Sequence, residues 1–392
     1  MARLRSHSRL GGAALAISLT AAAALATATA SQAQEFHALD SATISQMTQA
    51  DRQALAESAE PMERLRSDMP VIDRQVGPAT DEGAPTIMAG AAGPTERLRA
   101  GDLNFAPPET ADGGGIGTQN YGSGNLDTYL HYNDYLQVPY PVRYYPWRAA
   151  GRMIFQASSG GWFSCSAAMI APSVLVTAGH CVHDGGNGDA GWIQQGYFVP
   201  AHSDVRWPYG SCDLEYVGTT NQWFNVGNIT YGYDVGVAVC GPRVGTNRLM
   251  GRITGWYGFC YENCRQSWWY LTQLGYPGNY YGGLEMTVSQ HVSRATEPDY
   301  VYGSGMRGGS SGGPHISNIG EIEDSSSNLG QYTPRNIIFA VTSWGFVGHQ
   351  FKVQGASPLS GVNNRNNFNR MYNQACRWAR QNVRRNACQI LR

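Results

Sequence analysis

Lysine is nearly missing from this chain: among 28 basic residues only Lys352 is one, and the rest are arginine. Charge of either sign is sparse. Charged residues fill 15% of the 392 positions and the formal net charge is -1. That excludes the basic footprint of a nucleic-acid binder and the acidic block of a solvating tail. Aromatic residues are nearly absent from the first 115 positions, where only Phe36 and Phe105 occur, although the chain holds 11 Phe, 10 Trp and 22 Tyr. Cysteine is missing before Cys165 and no C-x-x-C pair occurs, which argues against a structural zinc site or a thioredoxin-like redox pair. Beyond Ala30 no apolar run approaches the roughly 20 residues that cross a bilayer.

The one long apolar run lies at the start. Arg3, Arg5 and Arg9 precede an Ala/Leu-rich stretch from Leu10 to Ala30, and small residues follow at Ser31-Gln32-Ala33. A basic start, an apolar middle and a small-residue exit read as a secretory signal over residues 1–33. Ser18, Thr20, Thr27 and Thr29 dilute the run as a membrane anchor. The processed chain is therefore expected to be secreted, extracellular or periplasmic, with no membrane contact after signal cleavage. Eight cysteines (165, 181, 212, 240, 260, 264, 376 and 388), an even number in an exported chain, read as disulfides, though spacing alone does not select the pairing.

The remainder divides by composition. Residues 34–115 hold 14 acidic residues and 6 arginines, whereas residues 116–392 carry a net charge of +4. A segment so poor in aromatics buries little core by itself, which leaves a disordered linker or an acidic propeptide. It contains a short echo, Glu63-Arg64-Leu65-Arg66 and Glu96-Arg97-Leu98-Arg99, with too few copies for a repeat fold. From Gly113 the texture changes to short apolar runs bounded by Gly, Pro, Asn or Asp. Strands are predicted at Arg152–Gln156, Phe163–Ile170, Val174–Thr177, Trp192–Val199, Val235–Val239, Trp268–Leu274, Leu284–Val292 and Asn336–Trp344. Many short strands imply an all-β sandwich or barrel. One helix is predicted from about Asn366 to Asn382, where Phe368, Met371, Tyr372, Ala375 and Trp378 recur at helical spacing.

Three motifs carry chemistry. Thr177-Ala178-Gly179-His180-Cys181 ends a strand in small residues and presents an imidazole, the natural base near neutral pH. Asp234-Val235-Gly236-Val237-Ala238 opens an apolar strand with a carboxylate, which needs a partner such as an imidazole N–H if it is buried. Gly309-Ser310-Ser311-Gly312-Gly313-Pro314 surrounds a serine with glycines that let backbone N–H groups converge on a reacting carbonyl.

In that order, T-A-G-H-C, D-V-G-V-A and G-S-S-G-G-P resemble trypsin-like serine peptidases of the chymotrypsin fold. Tyr145-Pro146-Trp147-Arg148-Ala149-Ala150-Gly151 and Leu274-Gly275-Tyr276-Pro277-Gly278 are similar to markers of the bacterial V8-like, or glutamyl-endopeptidase-like, branch. The likeness covers about residues 140–350. It implies two packed six-stranded antiparallel β-barrels with the site between them. His180, Asp234 and Ser311 would be catalytic, and Gly309 and Ser311 would form the oxyanion hole. Ser343, Trp344 and Gly345 would bind substrate along a strand. It also implies a Cys165–Cys181 bridge; the other cysteines are paired by proximity as Cys212–Cys240, Cys260–Cys264 and Cys376–Cys388. The implied product is a secreted monomeric endopeptidase acting on proteins or peptides, with no cofactor and no metal required. Asp184-Gly185-Gly186-Asn187-Gly188-Asp189 has incomplete spacing for a calcium loop.

Two departures from the family pattern matter. Ser310 replaces the aspartate that captures the new N-terminal amine in animal trypsins. No histidine occurs from Ala340 to Gly348, where glutamate-specific members carry one. A small or apolar residue before the cut is then favoured, with Arg307 able to select an acidic one only if it points inward. Asp213 is the competing carboxylate for the base. A catalytically silent relative acting as a binding protein is the alternative function. A lipase or esterase requires a different motif order. With a signal before it and a hydrolase-like domain after it, the segment 34–115 reads as a propeptide, largely disordered, and the full chain as a zymogen. Cleavage is expected between about Arg99 and Gly124, which N-terminal sequencing of the secreted protein checks; an active enzyme starting near Gln34 would refute it.

Overall fold

The computed structural model describes residues 34–66, 86–91, 128–130, 145–203, 207–264, 270–292, 294–295, 299–320, 335–346, 353–361 and 366–391. The expected signal and the expected maturation region lie outside them. The chain opens with β1 (Gln34–Ala38), helices α1 (Ala42–Ser45) and α2 (Gln49–Ser58), and the short strands β2 (Glu60–Pro61) and β3 (Leu65–Arg66). Later come β4 (Thr86–Met88) and β5 (Thr128–Leu130).

Six strands close the first barrel: β6 (Ala150–Gln156), β7 (Trp162–Met169), β8 (Val174–Thr177), β9 (Gln195–Pro200), β10 (Cys212–Thr220) and β11 (Gly236–Arg243). They pair antiparallel in the order β10-β11-β8-β7-β6-β9, and the β9–β10 ladder at Phe198 and Cys212 completes the ring. Val174, Val176, Val237 and Val239, β-branched and fully buried, line its core. A second sheet is built from β12 (Gly258–Glu262), β13 (Tyr270–Gly275), β14 (Thr287–Val292), β15 (Arg294–Ala295), β16 (Tyr300–Gly303), β17 (Pro314–Ser317), β18 (Ile337–Phe346) and β19 (Val353–Pro358). Its order is β15-β16-β19-β18-β17-β13-β14-β5, with β12 beside β18. Pairing closes the first ring as expected; among the described residues no ladder closes the second. Strands β1 to β5, β10, β12, β15, β16, β17 and β19 escaped the sequence reading, being short or interrupted by Gly, Pro and polar residues.

Helix α3 (Phe368–Asn382) buries Phe368, Met371, Tyr372, Ala375, Cys376 and Ala379. Phe368 and Tyr372 meet Phe259 with ring centroids 5.2 and 4.9 Å away, and Trp378 stacks on Tyr216 at 4.7 Å. The helix ends at Asn382, so the chain folds back and brings Cys388 to 5.7 Å Cα–Cα from Cys376. All four pairs form as expected, with Cys165–Cys181, Cys212–Cys240 and Cys260–Cys264 at 6.2, 5.7 and 5.5 Å.

The N-terminal segment departs from expectation. Residues 34–66 and 86–91 form ordered elements on the domain, where composition alone suggested a largely disordered stretch. The reason is that the domain supplies the apolar partners the segment lacks. Strand β1 pairs with β10 from Gln34↔Thr220 to Ala38↔Tyr216, and Phe36 stacks on Tyr216 at 5.3 Å. Ile44, Ala56 and Ala59 pack with Ile154, Tyr197, Val199 and Trp207 on the barrel's outer face. Thr48 and Asp51 cap α2 reciprocally. Arg52 is buried and reaches Asp213 Oδ1 at 2.5 Å. Arg152 is buried beneath α2 and donates to the Ala56 carbonyl at 2.7 Å and to Ser164 Oγ at 3.0 Å. Burial lowers the Arg152 pKa to about 10. Because Ile44 is fully buried in this interface, Ile44→Ala should cost about 2–5 kcal/mol, read from the urea midpoint of the full chain. A change below about 0.5 kcal/mol, the usual range for surface positions, would mean that the segment is not held as described.

Candidate active site

Each candidate catalytic side chain sits where an apolar strand gives way to a tight turn. After β8, a single 3₁₀ turn (Gly179–Cys181) presents His180, and the bridge to Cys165 on β7 fixes the turn's end. Asp234 lies two residues before β11, which pairs with β8, so the two residues meet at the barrel mouth. The His180 Nδ1–H donates to Asp234 Oδ2 at 2.7 Å, and the His180 backbone N–H donates to Oδ1 at 2.7 Å. A third donor comes from the other sheet: Ser343 Oγ lies 2.6 Å from Oδ2. Burial by itself would raise the Asp234 pKa. The charge of His180 and the hydrogen bonds from His180 and Ser343 outweigh it and hold the carboxyl below its ordinary value.

Ser311 lies on the turn before β17. Gly309 and Gly312 have φ of +92° and +78°. A Cβ at Gly312 would fall 2.1 Å from Thr177 Oγ1, so only glycine lets this turn press against the first barrel. The turn is tied to both sheets: Ser166 N–H donates to the Ser311 carbonyl at 2.7 Å, Ser166 Oγ to the Gly309 carbonyl at 2.8 Å, and Gly312 N–H to the Thr342 carbonyl at 2.8 Å. Ser310 is held by the Arg307 carbonyl at 2.7 Å and by Gln354 Nε2 at 3.2 Å.

The structure brings His180, Asp234 and Ser343 into direct contact and ties the Gly309–Ser311 turn to β7 and β18. It does not bring Asp213 there, since that carboxylate pairs with Arg52. Arg307 lies against β18, with Nη1 donating to the Phe346 carbonyl at 3.0 Å and Nε 3.2 Å from Glu63 Oε1. Cys165, His180 and Cys181 are the one metal-like grouping among the described residues, but the two cysteines are bonded to each other. The Asp184–Asp189 loop is organised by protein groups: Ser158 Oγ donates to Asp184, and His183 Nε2 lies 2.7 Å from the Gly188 carbonyl.

The sequence reading missed four groups. Met62, Glu63 and Arg64 lie against the Ser311 turn and β18: the Met62 carbonyl accepts from Gly309 N–H at 2.7 Å and from Ser311 Oγ at 3.3 Å, and the Arg64 carbonyl accepts from Gly345 N–H at 2.9 Å. The Glu-Arg-Leu-Arg echo was the one available signal for them. The fourth is the Ser343 hydroxyl, assigned to substrate but engaged with Asp234.

No family model matches the chain. A glutamyl endopeptidase from Bacillus licheniformis is 27% identical over 170 residues, 43% of this chain and 49% of that protein. An extracellular metalloprotease from Bacillus subtilis is 22% identical over 212 residues, 51% of this chain and 64% of that protein. The chain thus spans less than two thirds of either relative. Among solved structures, protease Anisep from Arthrobacter nicotinovorans is 22% identical with a TM-score of 0.45, covering 56% of this chain and 96% of its own. A Glu endopeptidase in complex with MPD is 18% identical with a TM-score of 0.47, covering 63% and 95%. The resemblance to the glutamyl-endopeptidase-like branch is borne out at the level of sequence.

The lowered pKa of Asp234 has a pH signature. Its folded value lies below the unfolded carboxylate value of about 3.9, so its contribution to stability is present above that pH and is lost as pH falls through the folded value. Urea midpoints of the full chain between pH 6 and pH 3 should fall more steeply for the native sequence than for Asp234→Asn. Parallel curves would refute the lowered carboxyl of Asp234.

Proposed function

We propose that this chain, a V8-like peptidase of the chymotrypsin fold by sequence and architecture, is a secreted serine endopeptidase made as a zymogen. The observation that carries the reading is the Asp234–His180 contact at 2.7 Å on the barrel against which the Ser311 turn is pressed at Gly312. In the reaction, the Ser311 hydroxyl attacks the scissile carbonyl while His180 Nε2 takes its proton. Asp234 holds the imidazole with Nδ1 protonated and stabilises the imidazolium. The Gly309 and Ser311 N–H groups receive the developing oxyanion. His180 then returns the proton to the leaving amine, and water releases the acyl group by the same steps. The enzyme acts as a monomer on proteins or peptides, needing no cofactor. A silent binding protein would have no use for this complete set.

Arg307 shifts the expected preference away from small or apolar residues. Its guanidinium stands beside a carboxylate at 3.2 Å, next to Gly345 on the pocket wall. An acidic side chain before the cut is the substrate class this favours, by a charge-assisted contact in place of the missing histidine.

A serine-directed phosphonate should label the processed protein and fail to label Ser311→Ala; labelling that survives the substitution would overturn the site. Ser311→Ala or His180→Ala should lower kcat by roughly 10⁶-fold. Arg307→Ala should lower kcat/KM for glutamyl peptides about 10-fold or more, with apolar peptides little changed. Equal losses on both peptide classes would remove Arg307 from specificity.

A further inference from the structure

The cleft already contains a stretch of this chain, and its direction decides whether it can be cut. The leaving amine of a scissile bond must reach His180 Nε2, which belongs to the first barrel. A productive substrate therefore sends the half after the scissile carbonyl toward β7 and lays the half before it along β18. Residues 60–66 do the opposite. Pro61, before the Met62 carbonyl, pairs with Ser164 on β7, and Met62 N–H donates to the Ser164 carbonyl at 2.9 Å. Leu65 and Arg66, after it, pair with Gly345 and Phe346 on β18. Both ladders are parallel.

Resting on the peptidase reading above, we propose that Glu60–Arg66 is a built-in inhibitor that fills the cleft with its chain reversed, and so blocks Ser311 without being cleaved. The Met62 carbonyl takes the Gly309 donor that an oxyanion would use. Ser311 Oγ donates to that carbonyl, and His180 Nε2 has no hydrogen-bond partner among the described residues, so the proton path from serine to base is broken. The amine after Met62 leads toward β18, away from the base. Glu63 anchors the segment on Arg307, at the position argued to select substrate. The first copy of the Glu-Arg-Leu-Arg echo is thus the inhibitory element.

The test uses the intact full chain, with its N-terminus verified by sequencing, and a fluorescent serine-directed phosphonate. Glu63→Arg should raise the labelling rate at least 10-fold over the native chain. Glu63→Ala should move it in the same direction and reads the same contact if Glu63→Arg does not fold. A synthetic peptide of residues 59–66, added to the processed enzyme, should inhibit competitively and be recovered intact by mass spectrometry. Labelling of the native intact chain as fast as of the variants, absence of inhibition by the peptide, or its cleavage at Met62–Glu63 would each overturn the proposal. If even the processed enzyme resists the phosphonate, the peptidase reading fails instead, so the two failures are distinct.

Discussion

The buried carboxylate of Asp234 is shared by the two halves of this molecule. Asp234 has no contact with water, and a bare charge there would be prohibitive. It is tolerated because three donors converge on it, two from His180 on the first barrel and one from Ser343 on β18. The constraint runs outward from there. For His180 to donate twice, the turn after β8 must be tight; for Ser343 to reach across, β18 must lie against the barrel mouth. The Gly312 approach to Thr177 then follows, since it brings the Ser311 turn against that same mouth.

The polar interior behind the pocket obeys the same rule. Gln273 spends its side chain on Thr342, Gln354 and Ser304, at 2.9, 3.0 and 2.8 Å. His315 bridges Thr342 and His291 at 3.0 and 2.9 Å. Burial lowers both imidazoles, His291 to about 3, so the pair stays neutral at working pH. The result is a hydrogen-bonded, uncharged floor beneath Thr342, in which His291 Nδ1 has no partner among the described residues, and it leaves Arg307 to set the charge at the rim.

Much of this was legible in the sequence. The motifs around His180, Asp234 and Ser311 carry their own spacing and turn chemistry, and strands such as Val174–Thr177 are apolar runs with clear punctuation. Cys376 and Cys388 forced the helix to end before the second cysteine. What composition could not convey was the fate of residues 34–66. Their apolar content is low because it is complementary: Phe36 and Ile44 are few, but each meets a waiting aromatic or aliphatic surface on the barrel. Charge was a poor guide as well, since the closest contacts set an arginine of the acidic segment on Asp213 and only one glutamate on Arg307.

Strand β1 covers residues 216–220 on one side of β10, whose other side is held by β11. A chain that loses β1 carries an open row of backbone donors and acceptors there, flanked by the face of Tyr216 that Phe36 covers. Such an edge is a template for another strand. The colloidal behaviour of any shortened form, and not only its catalysis, therefore hangs on what takes the place of five residues.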